Sequence, residues 1–335
     1  MIGIVAPSSV VPRAELELGV QKLRDAGFKV RVHPQCKKKH LFFAGTDLER
    51  AQAFFDYAID SEIDTLWCAR GGYGANHLLK FLEKFTAKRG IPPKKLLIGA
   101  SDSTCLMEFA RSRWGWEILH APMPGLRGFQ LLSSTEWSGL RNWVRGEQPK
   151  QPWGARKLRF FGKAPAKAID AVMVGGNLTV WSTLCGTPFE PSVAGKILFI
   201  EDVTESLPRM DRMVQQLVDC GGFEGVRAIV LGNFLNCSDA VPSVLAKVPV
   251  GRTAERVIRA PKPAELQPLR RRLSQMQGLK AIFGEVGERL EIPVAYGLPV
   301  GHGPEHRALP LGGRFRLASD GQLECIQWGW LGKKD

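Results

Sequence analysis

The sequence shows no long apolar run, and its first residues do not have the pattern of a signal peptide. No window of its 335 residues approaches the roughly 18 uninterrupted apolar residues of a membrane-spanning helix. Its first residues, MIGIVAPSSVVPRAELELG, contain no basic segment that leads into an apolar one, so they are more typical of a first strand than of a signal peptide. We therefore expect no membrane partner.

The chain also lacks the cysteine spacings of disulfide frameworks and zinc sites. Its 7 cysteines are an odd number, and neither a CxxC pair nor a Cys/His cluster occurs. This pattern favours reduced thiols, so we expect a cytoplasmic protein without a bound metal. A GxGxxG motif and a P-loop are absent as well, and the sequence predicts no cofactor.

What the chain does have is positive charge. Its net charge is +13 and its pI is near 9.6, whereas the apolar fraction of 44% and the charged fraction of 24% are ordinary. A basic balance raises nucleic acid or another anionic polymer as a partner. The basic runs at 37–40 and 270–272 are short, however, and no aromatic residues alternate with them. We expect solvated basic faces and no nucleic acid, and keep a non-catalytic basic binding protein as an alternative.

Apolar runs and amphipathic segments alternate through residues 1–126, which we predict to form the first of two domains. This alternation is typical of βαβ units and a parallel sheet, whose ligands gather beyond the carboxyl ends of the strands. The predicted strands are 2–7, 28–34, 64–70 and 96–100, and the helices between and after them include 12–26, 47–59 and 103–111.

The alternation stops over 127–165, which is rich in Pro, Gly and basic residues, and we predict a linker there. A second domain is predicted over 166–335, with strands at 196–203 and 227–234. Within it, 250–290 is polar and basic and is predicted to be an insertion or a surface helix.

Two motifs fall at the predicted carboxyl edge of the first sheet. ARGGYG, residues 69–74, is a turn whose glycines let backbone N–H groups point outward, as oxyanion sites require, although a plain tight turn explains it equally. The run IGAS ends in Ser101. By itself, Ser101 or Asp102 is better explained as a helix cap. Ser101 is a nucleophile only if a base and a group that orients the base lie nearby.

Two residues of the second domain could fill those roles. His302 follows an apolar strand and is flanked by glycines, which exposes an imidazole on a loop. Glu201 ends the apolar run ILFIE, where a buried acid is costly without a partner. An ion pair to an arginine explains Glu201 equally well. His306 lies close by, on the polar side of the same loop. The remaining histidines are expected to be structural or solvent-facing; they are His33, His40, His77 and His120.

With these positions in view, the sequence resembles the LD-carboxypeptidase family, which comprises murein tetrapeptide carboxypeptidases and microcin-immunity relatives. The motifs that carry the resemblance occur in order over nearly the whole chain: IGIVAPSS, ARGGYG, IGASDSTCL, VGGNLTV, LFIEDVTE and PVGHGPEHRALPLG. The resemblance implies an N-terminal doubly wound parallel-sheet domain and a C-terminal swivelling β-rich α/β domain. It also implies a homodimer.

The resemblance assigns roles to single residues. Ser101 matches the family's nucleophile, Glu201 the acid and His302 the base. The backbone N–H groups of Asp102 and Gly72 match an oxyanion hole. Two further matches, expected to bind substrate, are Arg70 and Asn177.

The implied activity is release of the terminal D-alanine from murein tetrapeptide, by acyl-enzyme chemistry without a metal. An immunity-type serine amidase, which cleaves a toxic aminoacyl nucleotide, is the alternative within the family. Those relatives stack the base on an aromatic loop, and 250–290 offers Phe283 but no tryptophan. Ala100 departs from the family, which usually has an aromatic residue before the nucleophile.

Overall fold

The computed structural model describes residues 1–149, 151–238 and 274–330. Two sheets organise these residues. The first sheet has the order β11-β5-β4-β3-β1-β2, in which β1 to β5 are parallel and β11 runs antiparallel to β5. Its strands are β1 Ile2–Val5, β2 Val30–Val32, β3 Thr65–Cys68, β4 Leu96–Gly99, β5 Glu117–His120 and β11 Leu309–Leu311.

Helices alternate with the strands of the first sheet, as the sequence pattern predicted. Thr46 begins the second of them with a capping box, in which its side chain accepts from Glu49 N–H and the Glu49 side chain accepts from Thr46 N–H. This local signal explains why the predicted bounds of that helix, 47–59, are confirmed. The helices are α1 Arg13–Asp25, α2 Asp47–Ile59, α3 Leu79–Arg89 and α4 Thr104–Trp114.

The second sheet has the order β13-β12-β7-β8-β9-β10-β6. Its central strands β7 to β10 are parallel, and the strands at both edges pair antiparallel. Its strands are β6 Arg159–Phe161, β7 Ile169–Asn177, β8 Ile197–Val203, β9 Ala228–Leu235, β10 Val294–Tyr296, β12 Arg314–Leu317 and β13 Leu323–Gln327. Helices α7 Leu178–Ser182, α8 Leu207–Asp219 and α9 Gln275–Arg289 accompany it. The predicted two-domain α/β fold is confirmed.

The segment 127–165, predicted as a linker, carries regular structure. Helices α5 Arg127–Gln130 and α6 Ser134–Val144 lie in it, together with β6. Ser133 and Glu136 form a capping box at the start of α6, and Trp143 is buried in a hydrophobic cluster that also contains Trp328. The content of Pro, Gly and basic residues favoured a linker, but apolar spacing and a capping box are enough to form a short packed helix.

The sequence pattern did not predict that the chain returns to the first sheet. β11 lies far along the chain, yet it pairs with β5 through Leu309 opposite His120. The loop that contains His302 leads directly into β11. The edge of the first sheet therefore helps to anchor the end of that loop. The domain bounds of 1–126 and 166–335 stay a prediction.

Part of the basic 250–290 segment, including Arg270–Arg272, lies outside the described residues. Its end forms α9, whose Phe283 and Val286 are buried in a hydrophobic cluster that also contains Ile229 and Leu231 of β9. This helix is therefore a packed element of the second sheet rather than a solvated surface helix. Among the described residues, no helix is both long and apolar enough to cross a membrane.

Candidate active site

Ser101 begins a short 3-10 turn, Ser101–Ser103, between the end of β4 and the start of α4. Its φ of 59° lies in the left-handed region, which a non-glycine residue adopts at a cost of about 1–2 kcal/mol. Neither this turn nor α4 has a side-chain cap hydrogen bond, so Ser101 does not act as a helix cap. A strained serine between a strand and a helix is the geometry of a nucleophile elbow.

The ARGGYG turn packs directly against Ser101. A Cβ at Gly71 would lie 2.9 Å from Ser101 Cβ and 3.1 Å from Ser101 Oγ, and 3.4 Å from the backbone N of Asp102. Gly72 has a φ of 116°, and a Cβ there would overlap the hydroxyl of Ser9. Two glycines are therefore needed, and Gly71 is the one that borders Ser101. The sequence predicted Gly72 for the oxyanion role, and no signal in it separated the two.

Buried charges hold this turn in place. The carboxylate of Asp102 accepts a 2.9 Å hydrogen bond from Ala75 N–H, and burial raises the pKa of Asp102 although this bond and the Arg50 charge oppose the rise. The Arg50 guanidinium is fully buried and donates to the carbonyls of Gly74, at 3.0 Å, and Pro7. The sequence did not single out Arg50, because an arginine on an amphipathic helix is ordinarily expected at the surface.

Glu201 and His302 form a pair at the carboxyl ends of the strands of the second sheet, in which Glu201 is fully buried and His302 partly buried. Glu201 Oε2 lies 2.7 Å from His302 Nδ1 and accepts a 3.2 Å hydrogen bond from His302 N–H. Gly301 makes this approach possible: its φ is 103°, and a Cβ there would lie 2.5 Å from Glu201 Oε2. Burial alone would lower the pKa of His302, but the charge and hydrogen bond of Glu201 outweigh it and raise that pKa.

The other oxygen of Glu201 has only longer contacts. Glu201 is fully buried, and its Oε1 lies 3.4 Å from Asn177 Nδ2 and 3.9 Å from His120 Nε2. Burial alone would raise the pKa of Glu201. The facing histidines, His302 first and then His120, hold that pKa below its usual range instead. The acid is therefore ionised and surrounded by donors.

The two residues predicted to bind substrate make internal contacts. Arg70 donates a 2.9 Å hydrogen bond to the carbonyl of Val10. Asn177 is buried, donates to Asp202 Oδ1 at 2.9 Å, and accepts from Val180 N–H at the start of α7. Asn177 thus orients the Glu201–Asp202 strand end from inside the protein. Substrate contact by Arg70 and Asn177 stays a prediction.

The candidate residues come from both sheets, which contact each other at this point. The hydroxyl of Thr104, in the first turn of α4, accepts a 3.1 Å hydrogen bond from Asn177 N–H at the end of β7. Within the described ranges, no hydrogen bond joins Ser101 Oγ to the His302 ring. Hydrogen bonds between catalytic residues are often long or poorly aligned in the absence of substrate. The missing bond is therefore compatible with Ser101 as a nucleophile and His302 as its base.

Two histidines that the sequence gave no chemical role lie beside Glu201. His120 ends β5 and is fully buried, and its ring centroid lies 5.4 Å from that of His306. Burial lowers the pKa of His306 well below its usual value. No local signal in ILHAPMP marked His120, because its neighbours come from β8 and from the loop after β10.

One group in the described part of the chain could hold a metal ion. It consists of Cys185, Glu190 and Cys220, whose ligand atoms lie within 4.8 Å of one another. No residue of the Glu201–His302 pair belongs to it. The described cysteines are all free thiols.

Two family models match the chain. The LD-carboxypeptidase N-terminal domain matches residues 2–121, and the LD-carboxypeptidase C-terminal domain matches residues 170–317. Together they cover more than half of the chain. The first match contains Ser101 and the ARGGYG turn, and the second contains both Glu201 and His302.

Similar proteins cover nearly the same length. The murein tetrapeptide carboxypeptidase of Pseudomonas aeruginosa is 27% identical over 93% of this chain and 91% of its own. The structure of muramoyltetrapeptide carboxypeptidase from Oxalobacter formigenes superposes with a TM-score of 0.68 at 26% identity, covering 96% of each chain. The microcin C7 self-immunity protein of Escherichia coli is 26% identical over 68% of this chain and 72% of its own.

Proposed function

Because the chain belongs to the LD-carboxypeptidase family and is a serine-type carboxypeptidase, we propose that Ser101, His302 and Glu201 are its catalytic residues. The observation that supports this most is the contact between the buried Glu201 and His302, with 2.7 Å between Oε2 and Nδ1. A carboxylate bound to Nδ1 leaves Nε2 of the imidazole as the proton acceptor. The strained Ser101 elbow on the facing sheet supplies the nucleophile.

In the first half-reaction, Ser101 Oγ attacks the carbonyl carbon of the scissile bond while His302 takes the hydroxyl proton. Glu201 stabilises the imidazolium that forms and holds its tautomer. The tetrahedral intermediate then collapses, His302 gives the proton to the leaving amine, and an acyl ester on Ser101 remains. Water, deprotonated by His302, attacks this ester in the second half-reaction and restores Ser101.

The negative oxygen of the tetrahedral intermediate needs donors that are already in position. We assign this role to the backbone N–H of Asp102 and to a backbone N–H of the Gly71-Gly72 pair. Gly71 packs against Ser101, and the Asp102 carboxylate and Arg50 fix the same turn. Because these groups are positioned before reaction, removing one such donor typically costs about 10²–10³ in kcat.

We further propose that the substrate is a murein tetrapeptide and that the product is its terminal D-alanine. The Pseudomonas aeruginosa and Oxalobacter formigenes relatives bear murein tetrapeptide or muramoyltetrapeptide carboxypeptidase names and match along almost the whole chain. The L,D bond between the diamino acid and D-alanine would lie over Ser101. Cell-wall recycling in the cytoplasm by a homodimer completes this proposal, and light scattering of the purified protein tests the dimer.

A second candidate is the immunity-type amidase, favoured by the match to the microcin C7 self-immunity protein. The aromatic that the sequence offered for base stacking, Phe283, is fully buried and packs on Phe234 with ring centroids 5.7 Å apart. It is therefore not free to stack on a nucleotide base, and the peptide substrate is the better proposal. The family assignment sets aside the non-catalytic basic binding protein.

The decisive experiment offers both substrates to the same enzyme. Purified protein is incubated separately with murein tetrapeptide and with an aminoacyl sulfamoyl adenosine, and free D-alanine and free amino acid are measured by mass spectrometry. Release of D-alanine that disappears in Ser101→Ala supports the proposal. Undiminished release by Ser101→Ala excludes the assigned nucleophile, and faster turnover of the nucleotide favours the amidase.

A further inference from the structure

His120 is a buried histidine whose ring nitrogens both lack a hydrogen bond. Its side chain is fully buried at the end of β5, and neither Nδ1 nor Nε2 has a partner within hydrogen-bonding distance in the described residues. Leaving a buried polar group without a partner destabilises the folded protein. An apolar residue would avoid that cost, so the presence of a histidine calls for an explanation beyond packing.

The carboxylate of Glu201 lies just beyond hydrogen-bonding distance of His120. Nε2 lies 3.9 Å from Glu201 Oε1, about 1 Å beyond an ordinary N–H···O hydrogen bond. The ring contacts Phe199 edge-on, with centroids 5.4 Å apart, and this apolar wall offers no competing acceptor. Glu201 Oε1, which the His120 ring approaches, is the oxygen that His302 does not use.

The other titratable groups around this contact leave that role to His120. His302 binds Oε2 on the opposite side of the carboxylate, and Asp202 is occupied by Asn177 and Thr179. His306 packs against the His120 ring with the two ring planes tilted by 49°, and burial keeps its pKa well below the usual value, so it adds no charge. Asn177 Nδ2 also lies 3.4 Å from Glu201 Oε1, and among the titratable neighbours His120 is the one whose contact with that oxygen can still shorten.

The contact between His120 and Glu201 crosses from one sheet to the other. His120 ends β5 of the first sheet, which also presents Ser101 after β4, whereas Glu201 lies on β8 of the second sheet. A movement of the two sheets toward each other by about 1 Å would bring Nε2–H of His120 to hydrogen-bonding distance of Oε1. Ser101 follows β4 of the same sheet as His120 and would move with it.

We propose that His120 is a positioning residue that donates Nε2–H to Glu201 Oε1 when the two domains close on substrate, and so couples domain closure to assembly of the acid–base pair. This inference rests on the proposed roles of Ser101, Glu201 and His302. Glu201 then accepts from His302 through one oxygen and from His120 through the other. Its carboxylate plane is fixed, and with it the direction of His302 Nε2.

The closing experiment compares His120→Leu, His120→Gln and His40→Gln. Leucine removes the donor, glutamine places an amide N–H near the position of Nε2, and His40 is an exposed histidine that serves as the control. Each variant is measured for kcat and KM of D-alanine release, for melting temperature, and for the rate at which a fluorophosphonate labels the serine. Ser101→Ala sets the floor of both activity measurements.

For His120→Leu we expect about tenfold lower kcat, a KM within about twofold of wild type, and a melting temperature that is unchanged or higher, because an unpaired buried imidazole has been removed. His120→Gln should recover kcat to within about threefold of wild type, and His40→Gln should match wild type. Fluorophosphonate labelling should slow in His120→Leu in parallel with kcat.

Two results would overturn the role of His120 alone. One is a kcat and labelling rate in His120→Leu equal to wild type. The other is a kcat that falls only together with the melting temperature, with no recovery in His120→Gln, which would make His120 purely structural. By contrast, labelling that requires Ser101 without any D-alanine release would refute the proposed substrate, and labelling rates would still decide the role of His120. Labelling that persists in Ser101→Ala would overturn both proposals.

Discussion

His302 meets a single carboxylate oxygen, Oε2 of Glu201, through both its ring and its backbone, at 2.7 Å from Nδ1 and 3.2 Å from N–H. The backbone bond fixes where the loop starts, and the ring bond fixes the rotation of the imidazole. Such a two-point attachment orients a base on a loop almost as firmly as one on a strand. Its strength depends on the charge of Glu201, and this dependence can be measured.

Replacing Glu201 by Gln tests that dependence. The amide cannot stabilise an imidazolium, and it favours the wrong tautomer if its N–H₂ faces Nδ1. We expect kcat for D-alanine release to fall by about 10²–10⁴-fold, as for other triads that lose the acid, with a smaller change in KM. Steady-state kinetics beside Ser101→Ala measures this. A fall of less than about threefold would exclude Glu201 as the orienting acid.

Gly301→Ala should disturb the same pair through sterics alone. A Cβ at this position would lie 2.5 Å from Glu201 Oε2, and the alanine backbone would have to adopt a φ of 103°. Gly297→Ala is the matched control, because Gly297 has a φ of 99° on the same segment but no atom within 4 Å of its Cβ position. Backbone strain should cost both variants about 1–2 kcal/mol.

The difference between these two variants isolates the contact with Glu201. We expect Gly301→Ala to have a lower melting temperature than Gly297→Ala and at least about tenfold lower kcat, since the carboxylate must move away from His302. Thermal unfolding and kinetics on both proteins provide the comparison. Equal kcat values in the two variants would mean that the approach of Gly301 to Glu201 is unimportant for turnover.

The sequence predicted those elements and site residues that have a recognisable pattern within a few neighbouring residues. The bounds of α2 were predictable because the signals that start it, among them the capping box of Thr46 and Glu49, are contained in a few neighbouring residues. Ser101, Glu201 and His302 could be singled out because each is a polar residue next to an apolar strand. His120 and Arg50 could not, since their partners come from other strands and loops. His120 ends a strand, as Glu201 nearly does, but it lies in none of the motifs that carry the family resemblance. The pairing of β11 with β5 was missed because these strands, too, are far apart in the chain.

Gly71→Ala tests the packing of the ARGGYG turn against Ser101. The added Cβ would lie 2.9 Å from Ser101 Cβ and 3.1 Å from Oγ, so the serine or the turn must shift by a few tenths of an ångström. Because donor placement controls stabilisation of the oxyanion, we expect about 10-fold or greater loss of kcat. Gly128→Ala, which meets no atom within 4 Å, is the control. Unchanged kcat in Gly71→Ala would argue against this turn as the oxyanion site.

The pH dependence of activity should follow His302. Glu201 raises the pKa of His302 above its ordinary value, although burial opposes the rise. A general base must be neutral, so kcat/KM should fall as the pH decreases through a value above about 6.5. In Glu201→Gln the raising charge is lost while burial remains, and the acid limb of the residual activity should move to lower pH.

Stability should respond to the same pair in two different pH ranges. For His302, whose folded pKa is raised, the contribution to stability is complete below its unfolded pKa of about 6.5 and is lost as the pH rises through the folded value. For Glu201, whose folded pKa is lowered, the contribution is present above its unfolded value of about 4.3 and is lost as the pH falls through the folded one.

Denaturant unfolding of wild type and Glu201→Gln from pH 4 to pH 9 measures both contributions to stability. The difference in unfolding free energy should be largest between these two ranges and shrink toward either end. A difference that is constant across the whole range would show that the Glu201–His302 pair does not titrate with folding.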